Sequence, residues 1–286
     1  MSESLFDAAA ARLRAGDPVA ARALFRQAAA AGERRAAVIY THLVGAGVGG
    51  PADWPRAVHL LRGLAASGRR SAAELARVEA MALRPDGSPV SVPEPERLCE
   101  RPDILSFRTL FTPDECRYLI EAAGPMLAPA VVIDPGTGRQ RPDPLRTADS
   151  VGFTPPLETL AVQALGRRIA AASGTNFDQG EPLQVLRYRP GGEYRPHFDA
   201  IPGFANQRVA TMLVWLNDGF EGGETEFPEA GLPLRGAVGD AILFRNVGGD
   251  GRPDPASAHA GRPVKAGEKW LASRWIRERT YEAPLP

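Results

Sequence analysis

Residues 183–200 read LQVLRYRPGGEYRPHFDA, and this stretch decides how the second half of the chain is built. Leu183–Tyr188 is a short apolar-rich run of strand length, and Pro190, Gly191 and Gly192 punctuate a turn after it. The chain then reaches His197-Phe198-Asp199. In an extended strand, residues two apart point to one face, so His197 and Asp199 present an imidazole and a carboxylate together. Working outward, the same short-strand pattern recurs in RVATMLVWLN (208–217), GGETEF (222–227), DAILFRN (240–246) and WLASRWIR (270–277). Several short strands punctuated by Gly and Pro predict an all-β barrel or sandwich.

An H-x-D triplet alone is a chance pattern; a third ligand must come from a neighbouring strand. The chain has four histidines, and the only other one in this half is His259, 62 residues beyond His197. Two histidines and one carboxylate, leaving coordination positions open, are the donor set of non-haem Fe(II) oxygenases. A hydrolytic zinc site can use the same donors. Lys269 distinguishes the two. It stands ten residues after His259, and it and Lys265 are the only lysines among 34 basic residues. A compact ammonium fits a narrow pocket holding one carboxylate better than a guanidinium does. A hydrolytic zinc site gives it no purpose; the bland alternative is a solvated strand-end residue.

Upstream, PDILSFRTLF (102–111) reads as a strand, and Thr112-Pro113-Asp114-Glu115 is a capping box opening the helix ECRYLIEAAG. Residues 131–150 are polar and turn-rich, predicting a mobile loop, and a helix is expected over about 156–173. Residues 83–98, rich in Pro, Gly and Ser, mark a linker. Before it, ARALFRQAAAAGERRAA from Ala21 realigns with AVHLLRGLAASGRRSAA from Ala57 at an offset of 36 residues. Asp17 and Asp53 fall at matching N-caps, followed by Pro18 and Pro55 in the first turns. Such a period predicts a stacked helix-pair array. It is read either as an amphipathic cap or as a docking surface for a partner or substrate. His42 and His59 lie on these helices, with structural or exposed roles expected.

Lys+Arg and Asp+Glu are 34 each, so the net charge is zero, which disfavours a nucleic-acid or anionic-membrane binder. No apolar run reaches membrane-span length and the N-terminus lacks a signal pattern. Two cysteines, Cys99 and Cys116, match neither a disulfide framework nor a zinc motif. The expectation is a cytoplasmic protein.

With these motifs in hand, residues 101–280 resemble the prolyl 4-hydroxylase type of 2-oxoglutarate- and Fe(II)-dependent dioxygenases. The likeness runs through residues 183–200, 208–218, 221–231, 239–246 and 259–278. Residues 1–82 resemble the Sel-like branch of the tetratricopeptide superfamily. Together these imply a multidomain α plus mainly β protein. A helical repeat pair (1–82) and a linker (83–100) would precede a double-stranded β-helix, or jelly roll, with flanking helices (101–286).

The resemblance implies Fe(II) on His197, Asp199 and His259, and Lys269, Tyr188 and Thr211 on the distal carboxylate of 2-oxoglutarate. O2 is the oxidant and ascorbate the external reductant. Three protein ligands leave three positions on the metal, two for the co-substrate and one for O2. Tyr194 either lines the cleft or fills the core, and Arg146 helps position substrate. Trp270 and Trp275 are expected to pack the barrel, and Glu224 to be structural. The implied reaction hydroxylates an unactivated C–H bond, peptidyl proline to 4-hydroxyproline, releasing succinate and CO2. Another side chain or a free amino acid remains an alternative substrate, as does a repeat-based scaffold with a residual oxygenase domain.

Overall fold

Capping chemistry sets the helix starts. Asp17 accepts from the backbone N–H of Ala20 and Asp53 from that of Arg56, opening α2 (Pro18–Ala30) and α4 (Trp54–Ala65). With α1 (Leu5–Arg14), α3 (Arg34–Ala46) and α5 (Arg69–Ala80), each helix packs on the next in sequence. The computed structural model describes residues 4–133, 140–143 and 145–282. Positions related by the 36-residue offset share burial: Ala21 and Ala57 are fully enclosed, as are Phe25 and Leu61. Alanine lets the helices approach and the larger residues fill the seam. His42 is buried in α3, its Nδ1 3.1 Å from the Pro156 carbonyl, whereas His59 is exposed.

By contacts the chain divides into two units. The first joins the described parts of Met1–Ser91 with Phe153–Ala171 and Glu282–Pro286. Phe153–Ala171 carries most of α7 (Leu160–Ser173). The expected helix at 156–173 begins four residues late because Pro155 and Pro156 favour a turn, closed by Leu157 N–H on the Thr154 carbonyl. Gln163 of α7 donates to the carbonyls of His42 and Glu158, and Leu160 N–H donates to Glu74 Oε1.

The second unit, Val92–Gly152 with Ala172–Tyr281, holds the strands. They are β1 (Glu96–Cys99), β2 (Ile104–Phe107), β3 (Ala128–Pro129), β4 (Val131–Ile133), β5 (Gln140–Pro142) and β6 (Asp149–Gly152). Then follow β7 (Gln184–Tyr188), β8 (Tyr194–His197), β9 (Arg208–Trp215), β10 (Phe220–Gly222) and β11 (Thr225–Phe227). The last are β12 (Leu232–Leu234), β13 (Ala241–Arg245), β14 (His259–Gly261), β15 (Val264–Gly267) and β16 (Lys269–Arg277). An eight-stranded antiparallel sheet runs β1-β2-β13-β9-β16-β7-β6-β3, and a four-stranded one runs β12-β11-β14-β8. The core lies between them: Phe227 of the smaller sheet meets Phe244 of the larger edge-on, with ring centroids 5.1 Å apart. Burying one such ring contributes about 1.5–3 kcal/mol. The capping box at Thr112–Glu115 opens α6 (Pro113–Ala123) as the sequence predicts.

Two expectations differ. β1 lies inside the stretch expected as a linker; it is an exposed edge strand, so no buried-face alternation announces it. The expected loop 131–150 carries β4, β5 and the start of β6, while residues 134–139 and 144 lie outside those described. Among the described residues, no helix is long and apolar enough to cross a membrane.

Candidate metal centre

Register brings the candidate ligands together. β14 pairs antiparallel with β8 so that His259 sits opposite His197, their ring centroids 4.2 Å apart. Asp199 lies in the bend just past the end of β8, and its carboxylate comes back beside both rings. His197 Nε2 lies 3.8 Å from Asp199 Oδ1, and His259 Nε2 lies 3.7 Å from Asp199 Oδ2. One ligand atom from each residue falls within 4.8 Å of the others.

The far side of each ring is already committed. His197 Nδ1 lies 2.8 Å from the Arg195 carbonyl and His259 Nδ1 3.0 Å from that of Ser257. A carbonyl only accepts, so each Nδ1 carries a proton, and in a neutral ring the Nε2 lone pair is then the one left on the Asp199 side. This backing is typical of ligating histidines. Burial, with His259 adding to it, lowers the His197 pKa and keeps the ring neutral. For Asp199 burial pushes the pKa up, but His259, His197 and the Thr211 hydroxyl together hold it below the ordinary value. Two imidazoles and one carboxylate therefore converge, a donor set that fits a divalent first-row metal.

Behind the triad, β16 and β7 supply the pocket floor. Lys269 sits opposite Tyr188 in their register, its Nζ 5.6 Å from the ring centroid. Period-two alternation along β16 puts Leu271, Ser273 and Trp275 on the same pocket wall. Lys269 is 2 % exposed, and its Nζ donates to the Gly223 carbonyl at 2.6 Å. That carbonyl faces it because Gly223 takes φ +68°, a left-handed conformation suited to glycine. Burial lowers the Lys269 pKa to about 7, opposed by Glu224. Burial likewise raises the Tyr188 pKa to about 12, so its hydroxyl stays a donor. A buried cation beside a phenol fits the far carboxylate of a dicarboxylate.

Tyr194 stacks on His197, centroids 3.4 Å apart at 17°, and the Arg146 guanidinium lies 5.2 Å above the Tyr194 ring. Arg146 is itself held by Asp143, with Nε 3.3 Å from Oδ2. Tyr194 and Arg146 thus both line the pocket.

Thr211 is placed otherwise than the resemblance implies. It does not line the pocket beside Lys269; its hydroxyl donates to Asp199 Oδ2 at 2.6 Å. Its strand position explains this: Thr211 is opposite Trp275, six residues along β16 from Lys269. The aliphatic hydroxyls lining the pocket with Lys269 are those of Thr225 and Ser273, which sequence reasoning missed. Ser273 was findable by counting in twos from Lys269. Trp275 also lines the pocket, whereas Trp270, on the other face of β16, donates through Nε1 to Glu268. A wider cleft lined by Glu100, Arg101, Arg245, Arg252 and Asp254 mixes both charges, and among the described residues no metal-ligand cluster falls there.

Comparison with known proteins agrees with this geometry. The sequence model of the 2OG-Fe(II) oxygenase superfamily matches residues 183–277. Prolyl 4-hydroxylase 1 of Arabidopsis thaliana is 38% identical over 205 residues, covering 65% of this chain and 72% of that protein. Prolyl 4-hydroxylase subunit alpha-1 of Gallus gallus is 32% identical over 197 residues, covering 65% of this chain and 38% of its own. Among solved structures, the 2OG complex of a viral collagen prolyl hydroxylase from Paramecium Bursaria Chlorella virus-1 superposes with a TM-score of 0.50. Its sequence is 27% identical, and the match covers 63% of this chain and 98% of that one.

Proposed function

We propose a function starting from the fact that this chain belongs to the prolyl 4-hydroxylase family of 2-oxoglutarate- and Fe(II)-dependent oxygenases. It is a 2-oxoglutarate-dependent dioxygenase that hydroxylates peptidyl proline to 4-hydroxyproline, releasing succinate and CO2. The observation that carries this reading is the convergence of His197, Asp199 and His259 in one buried pocket with Lys269. The two sheets are read as the double-stranded β-helix of that family, with helices flanking it.

His197, Asp199 and His259 would hold Fe(II), which when bound supplies the redox chemistry that activates O2 against an unactivated C–H bond. The protein's own part is positional. The Arg195 and Ser257 carbonyls hold both Nδ1 atoms, which orients the rings with Nε2 aimed at the metal position. Lys269 and Tyr188 would seat the distal carboxylate of 2-oxoglutarate, joined by Thr225 and Ser273. Tyr194 shields one side of His197 and, with Arg146, borders the entry for the peptide. Leu186, Leu213 and Leu271 make the pocket wall apolar, which excludes water and strengthens each charge interaction within.

Residues 1–82, read as a Sel-like repeat pair, dock a peptide or protein substrate, and ascorbate serves as external reductant in the cytoplasm. Charge reversal at exposed Arg69 and Arg70 on α5 should then raise KM for a whole-protein target and spare that for a short peptide. The deciding experiment incubates the purified chain with Fe(II), 2-oxoglutarate, ascorbate and proline-containing peptides. Succinate assay and mass spectrometry follow. Substrate-dependent succinate with 4-hydroxyproline in the peptide supports the reading. Hydroxyl on another residue overturns the substrate assignment, and absence of succinate from iron-loaded protein overturns the enzyme itself.

A further inference from the structure

Asp199 is held by more than its neighbours in the triad. The Thr211 hydroxyl donates to Oδ2 at 2.6 Å, and Asn246 Nδ2 donates to Thr211 Oγ1 at 3.0 Å. Thr211 is 1 % exposed and Asn246 is fully buried. The direction of this chain is fixed by chemistry. An ionised carboxylate only accepts, so Thr211 must spend its one proton on Asp199. Thr211 can then only accept from Asn246, which sets the amide with its NH2 toward the hydroxyl.

That orientation leaves Asn246 Oδ1 buried without a hydrogen-bond partner among the described residues. An unsatisfied buried acceptor is a standing cost that native structures rarely carry without a reason. The backbone also pins the residue. Asn246 N–H donates to the Val209 carbonyl on β9, and its own carbonyl accepts from Asp254 N–H. Asn246 immediately follows β13, beside β9, so the amide reaches Thr211 from a fixed strand end.

A carboxylate can ligate a metal through one oxygen or through both. With two imidazoles, one-oxygen ligation leaves three of six positions open, and two-oxygen ligation leaves two. The co-substrate and O2 need three. We propose that Asn246 and Thr211 form a positioning relay that occupies Asp199 Oδ2, restricts the carboxylate to one-oxygen ligation and so keeps the third position open. This rests on the triad being the metal site. Neither residue touches the metal or the co-substrate; both act through Asp199.

The test uses Mn(II) as the probe on the full chain, with affinity measured by titration and exchangeable metal-bound water by proton relaxation. Thr211→Val removes the hydroxyl at nearly constant shape. Loss of such an outer partner typically weakens metal binding by roughly 10–100-fold. Relaxivity should fall as well, because a freed carboxylate takes a position from water. Thr211→Ser should restore both. Asn246→Leu should have a smaller effect of the same sign, absent in the Thr211→Val background to within about twofold. If valine at 211 prevents folding, Thr211→Ala carries the same comparison against Thr211→Ser. The relay is overturned by unchanged affinity and relaxivity in the hydroxyl-free variant, by failure of serine to rescue, or by an Asn246→Leu effect that persists without the hydroxyl. Failure of the unaltered chain to bind Mn(II) overturns the metal site itself, and the relay with it.

Discussion

Lys269 should report co-substrate seating through a proton. Its pKa is lowered from 10.5 to about 7, chiefly because burial penalises the ammonium. In the empty pocket at pH 8, about one-tenth of Lys269 is charged. A dicarboxylate placing its far end beside Nζ supplies the opposite charge and draws the pKa back toward the ordinary range. Binding at pH 8 should therefore take up about 0.9 proton per 2-oxoglutarate, falling to about 0.1 at pH 6. Apparent affinity should drop about tenfold for each pH unit above 7. The assay is anaerobic calorimetry on the Mn(II)-loaded protein in two buffers of different ionisation enthalpy. Lys269→Met should abolish the proton uptake. It should also weaken binding by about 3–5 kcal/mol, two orders of magnitude or more, since the carboxylate is left buried and unpaired. The same depressed pKa acts on the empty protein. Between about pH 7 and 10.5 the unfolded chain binds more protons, so stability should rise with pH across that window, the full penalty lying below 7. A buffer-independent enthalpy in the unaltered protein, or equal proton uptake in Lys269→Met, would refute the pairing.

Three further outcomes are expected. His259→Ala should lose at least about a hundredfold in metal affinity with little change in metal-free melting, because a three-ligand site has no spare donor; titration with Mn(II) checks this. Gly223→Ala should destabilise by about 1–2 kcal/mol, since its φ of +68° disfavours a side chain and the new Cβ would stand 3.2 Å from Lys269 Cδ; denaturant unfolding reads the loss. Deleting residues 1–82 should lower the melting temperature and, in protein that stays folded, reduce hydroxylation of a whole-protein target while sparing succinate release without substrate. It strips Gln163, Leu160 and Arg167 of their partners His42, Glu74 and Gly45; a truncated protein that melts normally contradicts this.

The parts of the fold legible in sequence are those set by local rules. The N-caps at Asp17 and Asp53 and the box at Thr112–Glu115 depend on residues within four positions, and all three form. The central strands β7, β9, β13 and β16 are apolar enough to declare themselves. β1 and the β4–β5 pair are not, because an exposed edge strand or a three-residue strand shows no buried-face alternation to announce it. The helix at Leu160 belongs by contact to the N-terminal helices, a relation that no local period records.

The site divides along the same line. Strand periodicity puts His197 and Asp199 on one side in sequence; in the fold β8 ends at His197 and a bend carries Asp199 there. Scarcity singled out His259 and Lys269. What joins them is cross-strand register, which sequence does not carry: His259 opposite His197, and Lys269 opposite Tyr188. Thr211 shows the consequence. A threonine on the strand after the H-x-D segment reads equally well as a partner of the co-substrate or of Asp199. Only its register against Trp275 rather than Lys269 decides between them. The Thr211 hydroxyl donates to Asp199, and on the proposed reading Thr225 and Ser273 join Tyr188 at the co-substrate. Exchanging Thr225 should therefore alter 2-oxoglutarate affinity at constant metal affinity, and exchanging Thr211 should do the reverse. Mn(II) and 2-oxoglutarate titrations on the two variants separate these roles, and the same profile from both would mean that register does not partition them.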